Sequence, residues 1–203
     1  MPLHPTDCAK ATHLLEESRN ILILPHANVD PDGLSAALAC QLFFSALGKD
    51  STVICPDTLP ESLAFLPGFE DLQTELRVPR SFIITLDCSR GIALDTLRYA
   101  VEEGKVNIIV TPKQGAFSAQ DVTVAEGTFP YDLIVVVDTA ELPLLGSLFA
   151  QHQALFQQVP ILNIDHHVSN TKFGAVPLLD SQAASATEVL FQWFSAEPLW
   201  KAK

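Results

Sequence analysis

Six short runs constrain this chain more than anything else in it: NILIL (20–24), STVIC (51–55), SFIITL (81–86), VNIIVT (106–111), DLIVVV (132–137) and VPILNI (159–164). A strand with one wet face alternates apolar and polar residues; these runs hardly alternate, so each reads as a strand covered on both faces. Helical text lies between several of them, as in GLSAALACQLFFSAL (33–47), TLRYAVEEG (96–104) and ELPLLGSLFAQHQALF (141–156). Strands of this kind alternating with helices predict an α/β fold, doubly wound, with a mainly parallel sheet and helices on both faces. Residues 8–20 read as a polar helix ahead of the first strand. The stretch 33–47 carries no charge and suits a helix buried on more than one side, ended by Gly48. Near the end, Ser185 and Glu188 have the spacing of a capping box opening an apolar helix.

One region breaks the rhythm. In VNIIVTPKQGAFSAQDVTVAEGTFPY (106–131) two strand-like runs flank a Pro and Gly turn, which predicts a hairpin, and the whole of 77–131 reads as a strand-rich insertion.

Charge narrows the function. With 12 Lys and Arg against 24 Asp and Glu, the formal charge is −12, so a large nucleic-acid surface, which needs clustered cations, is excluded. A phosphate-bearing ligand would have to be held through divalent cations, which reverse the local sign of an acidic pocket. Cys8, Cys40, Cys55 and Cys88 form no C-x-x-C pair and read as free thiols of a reducing compartment. The first residues lack the basic start and long apolar core of a signal peptide, and no apolar run is long enough to span a membrane; the expectation is a cytoplasmic protein without membrane partners.

The chemistry collects where the apolar runs end. PHANVDPDGL places His26, Asp30 and Asp32 between the first strand and the buried helix, and an imidazole with two carboxylates suits Mn²⁺ or a similar cation. Asp32 read alone could equally cap that helix. Asp138 follows DLIVVV, Asp87 follows SFIITL, and Asp165, His166 and His167 follow VPILNI. Ligands of open parallel sheets bind beyond the carboxyl ends of the strands, so such sites converge when the strands are neighbours. Pattern alone leaves Asp87 and Asp138 as rivals.

Three segments, PHANVDPDGLSAALA, VVVDTAELPLLG and NIDHHVSNTKFGAVPLLDSQAASATEVL, resemble in order and spacing the motifs of the DHH phosphoesterase superfamily, most closely its nano-RNase and 3′-phosphoadenosine-5′-phosphate phosphatase branch. The resemblance implies a hydrolase with two Mn²⁺ ions, Mg²⁺ or Co²⁺ being able to replace them, that attacks phosphoesters by metal-activated water. It favours Asp138 over Asp87, because DTAELPLLG fits the second motif and DCSRG does not. Carried over by position, it implies that His26 and Asp30 hold one ion, Asp32 and His166 the other, and Asp138 both. His167 then faces the substrate phosphate and Asp165 orients the motif from behind. Substrates would be short oligoribonucleotides or 3′-phosphoadenosine-5′-phosphate, and a homodimer is compatible with the text. The family's later D-T-G aspartate and its Gly-rich basic substrate lobe are not found up to Lys203. The 203 residues therefore read as the catalytic lobe, with weak turnover by itself; a metal- or nucleotide-binding module is the alternative. D-P-D-G (30–33) read as an aspartate-nucleophile phosphatase loop would leave His26, His166 and His167 unused.

Overall fold

The structure, a computed structural model, describes residues 3–79 and 81–196. It divides into two units, one of residues 1–78 with 129–203 and one of Pro79–Thr128.

In the first unit α1 (Pro5–Glu17) precedes β1 (Asn20–Pro25), α2 (Pro31–Ala46) and β2 (Asp50–Val53). After the second unit, which holds β3 to β6, come β7 (Leu133–Val137), the short helices α3 (Ser147–Gln151) and α4 (Gln153–Gln158), β8 (Ile161–Asp165), β9 (Val176–Leu179) and α5 (Ala186–Ala196). The strands form one sheet in the order β2-β1-β7-β8-β9, every neighbouring pair parallel. β7 and β8 are buried along their whole length, as their unalternating sequences predict.

Alternate residues of these strands feed two cores. Ile21, Ile23, Val135, Val137, Leu162 and Ile164 pack with Leu15 of α1, Ala37 and Phe44 of α2, and Val189 and Trp193 of α5. Leu22, Leu24, Ile134, Val136 and Ile161 pack instead with Leu148 of α3 and Leu155 and Phe156 of α4. The sheet is thus doubly wound. Each fully buried aliphatic side chain contributes about 1.5–3 kcal/mol, an upper figure because the unfolded chain is itself partly collapsed. Trp193 is fully buried, and its indole N–H donates to Thr12 Oγ1 at 3.0 Å, which fixes α5 against α1.

The second unit corrects three expectations. TLRYAVEEG is not helical: β4 (Leu94–Glu102) is a strand paired antiparallel with β5 (Lys105–Pro112). The reason is local. Leu97, Tyr99 and Val101 alternate with Arg98, Ala100 and Glu102, and Glu103 and Gly104, at φ 49° and 76°, make the two-residue turn whose twist suits a hairpin. The run 106–111 therefore pairs backward with β4 and not forward across the PKQG turn. β6 (Val122–Glu126) pairs with β3 (Phe82–Leu86), again antiparallel. SFIITL and VNIIVT, which read as strands of the central sheet, lie in these two ribbons with most side chains exposed.

All four cysteines are free thiols, and among the described residues no helix is long and apolar enough to cross a membrane.

Candidate metal centre

β1, β7 and β8 are adjacent and parallel, so the loops after Pro25, Val137 and Asp165 leave the same edge of the sheet. The first loop is tightly held. Ala27 N–H donates to Leu144 O at 2.8 Å, Val29 N–H donates to Asp57 Oδ2 at 2.7 Å, and Asn28 takes a left-handed φ of 57°. A Cβ at Gly33 would lie 3.3 Å from two atoms of the His26 ring, so glycine in D-P-D-G leaves that ring its space. His26 Nδ1 is 3.0 Å from the Ala27 carbonyl; donating there, it turns Nε2 toward the carboxylates of Asp30 and Asp138.

Asp138 sits at the meeting point. It is nearly fully buried, its φ is 51°, and its N–H donates to Ile164 O at 2.9 Å, so the backbone aims the carboxylate along the sheet edge. His26 Nε2 is 3.7 Å from Asp138 Oδ2, while His166 Nε2 and His167 Nδ1 are 3.5 and 3.6 Å from Oδ1. Such separations are too long for hydrogen bonds, and Oδ1, though buried, accepts none among the described residues. A buried carboxylate oxygen left so is costly. Two atoms ligating one ion at about 2.0–2.2 Å each stand roughly 3–3.5 Å apart, so this spacing suits imidazole and carboxylate ligands of a shared divalent cation.

Among the described residues two sets of ligand atoms come close enough to hold an ion: His26, Asp30 and Asp138, and Asp138, Asp165, His166 and His167. Asp138 belongs to both. Asp30 also caps α2, its Oδ1 accepting from Gly33 N–H at 2.9 Å, and lies 3.8 Å from His26 Nε2. Asp32 stands apart from both sets: it is 3.8 Å from His166 Nε2, but its oxygens accept from Ala186 N–H at 2.7 Å, Thr187 N–H at 3.2 Å and Thr187 Oγ1 at 2.8 Å. It caps a helix, though α5 and not α2, and so ties the first motif to the last helix. There Ser185 Oγ accepts from Glu188 N–H, while the Glu188 carboxylate reaches back to Ala184 N–H, one residue beyond the box read from sequence.

Asp165 is fully buried and bonded on all sides. Its Oδ1 accepts from His166 N–H at 2.7 Å, His167 N–H at 3.2 Å and His167 Nδ1 at 2.7 Å, and its Oδ2 accepts from Asn170 Nδ2 at 2.6 Å. His166 is oriented by Ala183 O, 3.2 Å from Nδ1, which leaves its Nε2 toward Asp138. The Asp165 bond raises the His167 pKa above its ordinary value against partial burial. The Asp138 carboxylate, against burial and with help from the Ala27 carbonyl, raises that of His26 to about 9.

Sequence reasoning left Asn163 and Asn170 without a role. Asn163 interrupts an apolar strand and donates to Val136 O and Thr139 O; Asn170 donates to Asn163, Asp165 and Thr139 O. For Asn163 the available signal was a polar residue between Leu162 and Ile164; Asn170, between Ser169 and Thr171, carried none. Asp87 is exposed in the second unit, accepts from Ser89 N–H, and belongs to neither ligand set.

An edge of parallel strands that gathers imidazoles and carboxylates around one shared aspartate defines a site suited to divalent cations. The chain belongs to the DHH family: its sequence matches the family's N-terminal domain over residues 20–202. Its fold is similar to that of an exopolyphosphatase-related protein from Bacteroides fragilis, with a TM-score of 0.64 at 16% identity, over 96% of this chain and 44% of the other. The chain thus spans less than half the length of that protein.

Proposed function

We propose that this chain is the catalytic lobe of a metal-dependent phosphoesterase, using two Mn²⁺ ions, or Mg²⁺ or Co²⁺ in their place, to hydrolyse short oligoribonucleotides or 3′-phosphoadenosine-5′-phosphate. The observation that carries it is Asp138, buried, short of a hydrogen bond at Oδ1, and common to both ligand sets. His26 and Asp30 serve one ion, and His166 and Asp32 serve the other. Divalent ions there supply a water acidified to neutral pKa and neutralise phosphoryl charge. His167, half exposed and held by Asp165 through Nδ1, presents its other ring nitrogen to the substrate phosphate. Asp165 keeps that ring cationic to higher pH, where it favours an anionic oxygen. Asp32 caps the start of α5, and its Oδ2, which accepts one hydrogen bond and stands 3.8 Å from His166 Nε2, keeps a lone pair for the ion that His166 serves. The exopolyphosphatase-related neighbour favours inorganic polyphosphate as a second substrate class.

Calorimetry with Mn²⁺ and a dinucleotide hydrolysis assay on the native chain test this together. Expected are two Mn²⁺ equivalents and chelator-sensitive release of mononucleotide, slower than the roughly 10 s⁻¹ of a median enzyme. Two bound ions with no release from any phosphoester would favour the binding-module reading, and failure to bind divalent ions would end the hydrolase and the metal-binding module alike.

Proton competition gives a second expectation. To ligate, His26 must be neutral, and in the metal-free fold it keeps its proton up to about pH 9. Mn²⁺ affinity therefore climbs as pH rises from about 6.5 toward 9, approaching tenfold per unit for the one proton displaced. The fold's own stability moves the other way: a raised imidazole pKa stabilises below the unfolded value near 6.5, and that contribution is lost as pH rises through 9. Metal affinity flat across pH 6.5–9 would remove His26 from the ligand set.

A further inference from the structure

His167 borders two cavities. One, of about 260 Å³, holds His26, Asp30, Asp138 and Ser169 and is the metal centre itself. The other, of about 430 Å³, shares only His167 with the first and is lined by Asn170, Lys172, Ser181 and Gln182 among others. Nothing in the proposed hydrolysis uses this second cavity.

Its cation is unusual in this unit. The other described cations there are engaged: Lys10 with Asp7, Arg19 with Asp50, Arg77 with Glu75, and Lys49 with the carbonyls of Glu16 and Ser18. The Lys172 ammonium has no hydrogen-bond or ion-pair partner among the described residues. Its backbone is nonetheless fixed in a rarely used conformation, at φ 58°, because Lys172 N–H donates to Asn170 Oδ1 at 2.7 Å. The same Asn170 amide donates to Asp165, which holds His167. One buried side chain therefore sets both the ring that borders the metal centre and the turn that carries the lysine. A left-handed non-glycine held by a network at a cavity mouth is the kind of strain that accompanies a binding role. Asp180, the one acid lining the cavity among the described residues, is buried and already accepts from Gln182 N–H at 3.0 Å and Gln192 Nε2 at 3.2 Å.

We infer that the Lys172 cavity is a second phosphate subsite, taking the phosphoryl group next to the one held at the metal centre. The inference rests on the hydrolase reading above. Lys172 supplies a point charge, the Ser181 hydroxyl and the Gln182 amide supply donors, and His167 stands between the two phosphates. Substrates with two or more phosphoryl groups gain from it; a lone phosphate does not.

The test compares inorganic phosphate with methylenediphosphonate, a non-hydrolysable double phosphate, binding to the Mn²⁺-loaded chain by calorimetry, for native protein, Lys172→Ala and Lys172→Arg. In Lys172→Ala the diphosphonate is expected to bind about tenfold more weakly, the loss of one charge-assisted hydrogen bond, with phosphate and Mn²⁺ affinities unchanged and Lys172→Arg close to native. An unchanged diphosphonate affinity in Lys172→Ala overturns the inference alone, as does an equal loss for both anions. A native chain that takes up no Mn²⁺ overturns the proposed function, and the subsite with it.

Discussion

Asp138→Asn is expected to keep the chain folded and to weaken Mn²⁺ binding by about a hundredfold or more, for both equivalents at once. Mutation of residues that merely support metal ligands costs about 10–100-fold, and here the lost group is a carboxylate shared by both ligand sets. Loss of both ions distinguishes the bridging position from one in a single set, where the other ion would remain. Asparagine is the better probe because residue 138 has a φ of 51°, a conformation that Asn tolerates and that costs alanine about 1–2 kcal/mol. Folding has little to lose, since Oδ1 accepts no hydrogen bond in the native fold. A second signal is independent of metal: without the anion beside it, His26 should titrate well below its present value of about 9, which NMR of the ring protons would read. Equal, tight Mn²⁺ binding by native and variant chains would sink the shared-ligand assignment.

The central sheet and its edge were legible because both follow from one-dimensional signals. DLIVVV and VPILNI are apolar on both faces and are buried on both faces, and an acid at the end of each lands at the same edge once the strands are parallel. The ribbons of the second unit were not legible, and the reason is instructive. SFIITL has the same unalternating apolarity as the core strands, but in β3 it stays largely exposed, so the pattern that signals two covered faces has another cause there. TLRYAVEEG carries good helix formers in Leu, Arg, Ala and Glu, and its period-two alternation, the better guide, was outweighed. Within the site, side-chain identity showed which groups could ligate, but not which were already occupied. Asp30 and Asp32 look equivalent in D-P-D; in the fold one caps its own helix and the other caps a helix 154 residues further on. Such long-range bonds leave no local trace.

The largest stability effect is expected from Asn170→Ala, at a residue that ligates nothing. The Asn170 amide donates to Asp165 Oδ2 at 2.6 Å, to Asn163 Oδ1 at 2.8 Å and to Thr139 O at 3.2 Å, and its oxygen accepts from Lys172 N–H at 2.7 Å. Truncation leaves a fully buried carboxylate and a fully buried amide each short of a donor. Every orphaned buried group costs about 1–3 kcal/mol, more for a charged one, so a loss of about 3 kcal/mol or more by denaturant unfolding is expected. The effect should also reach the site. Asp165 Oδ1 carries His167, and a carboxylate released on its other oxygen no longer fixes that ring, so the His167 pKa should fall toward the ordinary histidine value. Both readouts should move together, because one amide holds both. A variant that loses under 1 kcal/mol, or whose His167 titrates as in the native chain, would show that Asp165 is held by its backbone bonds to His166 and His167 alone.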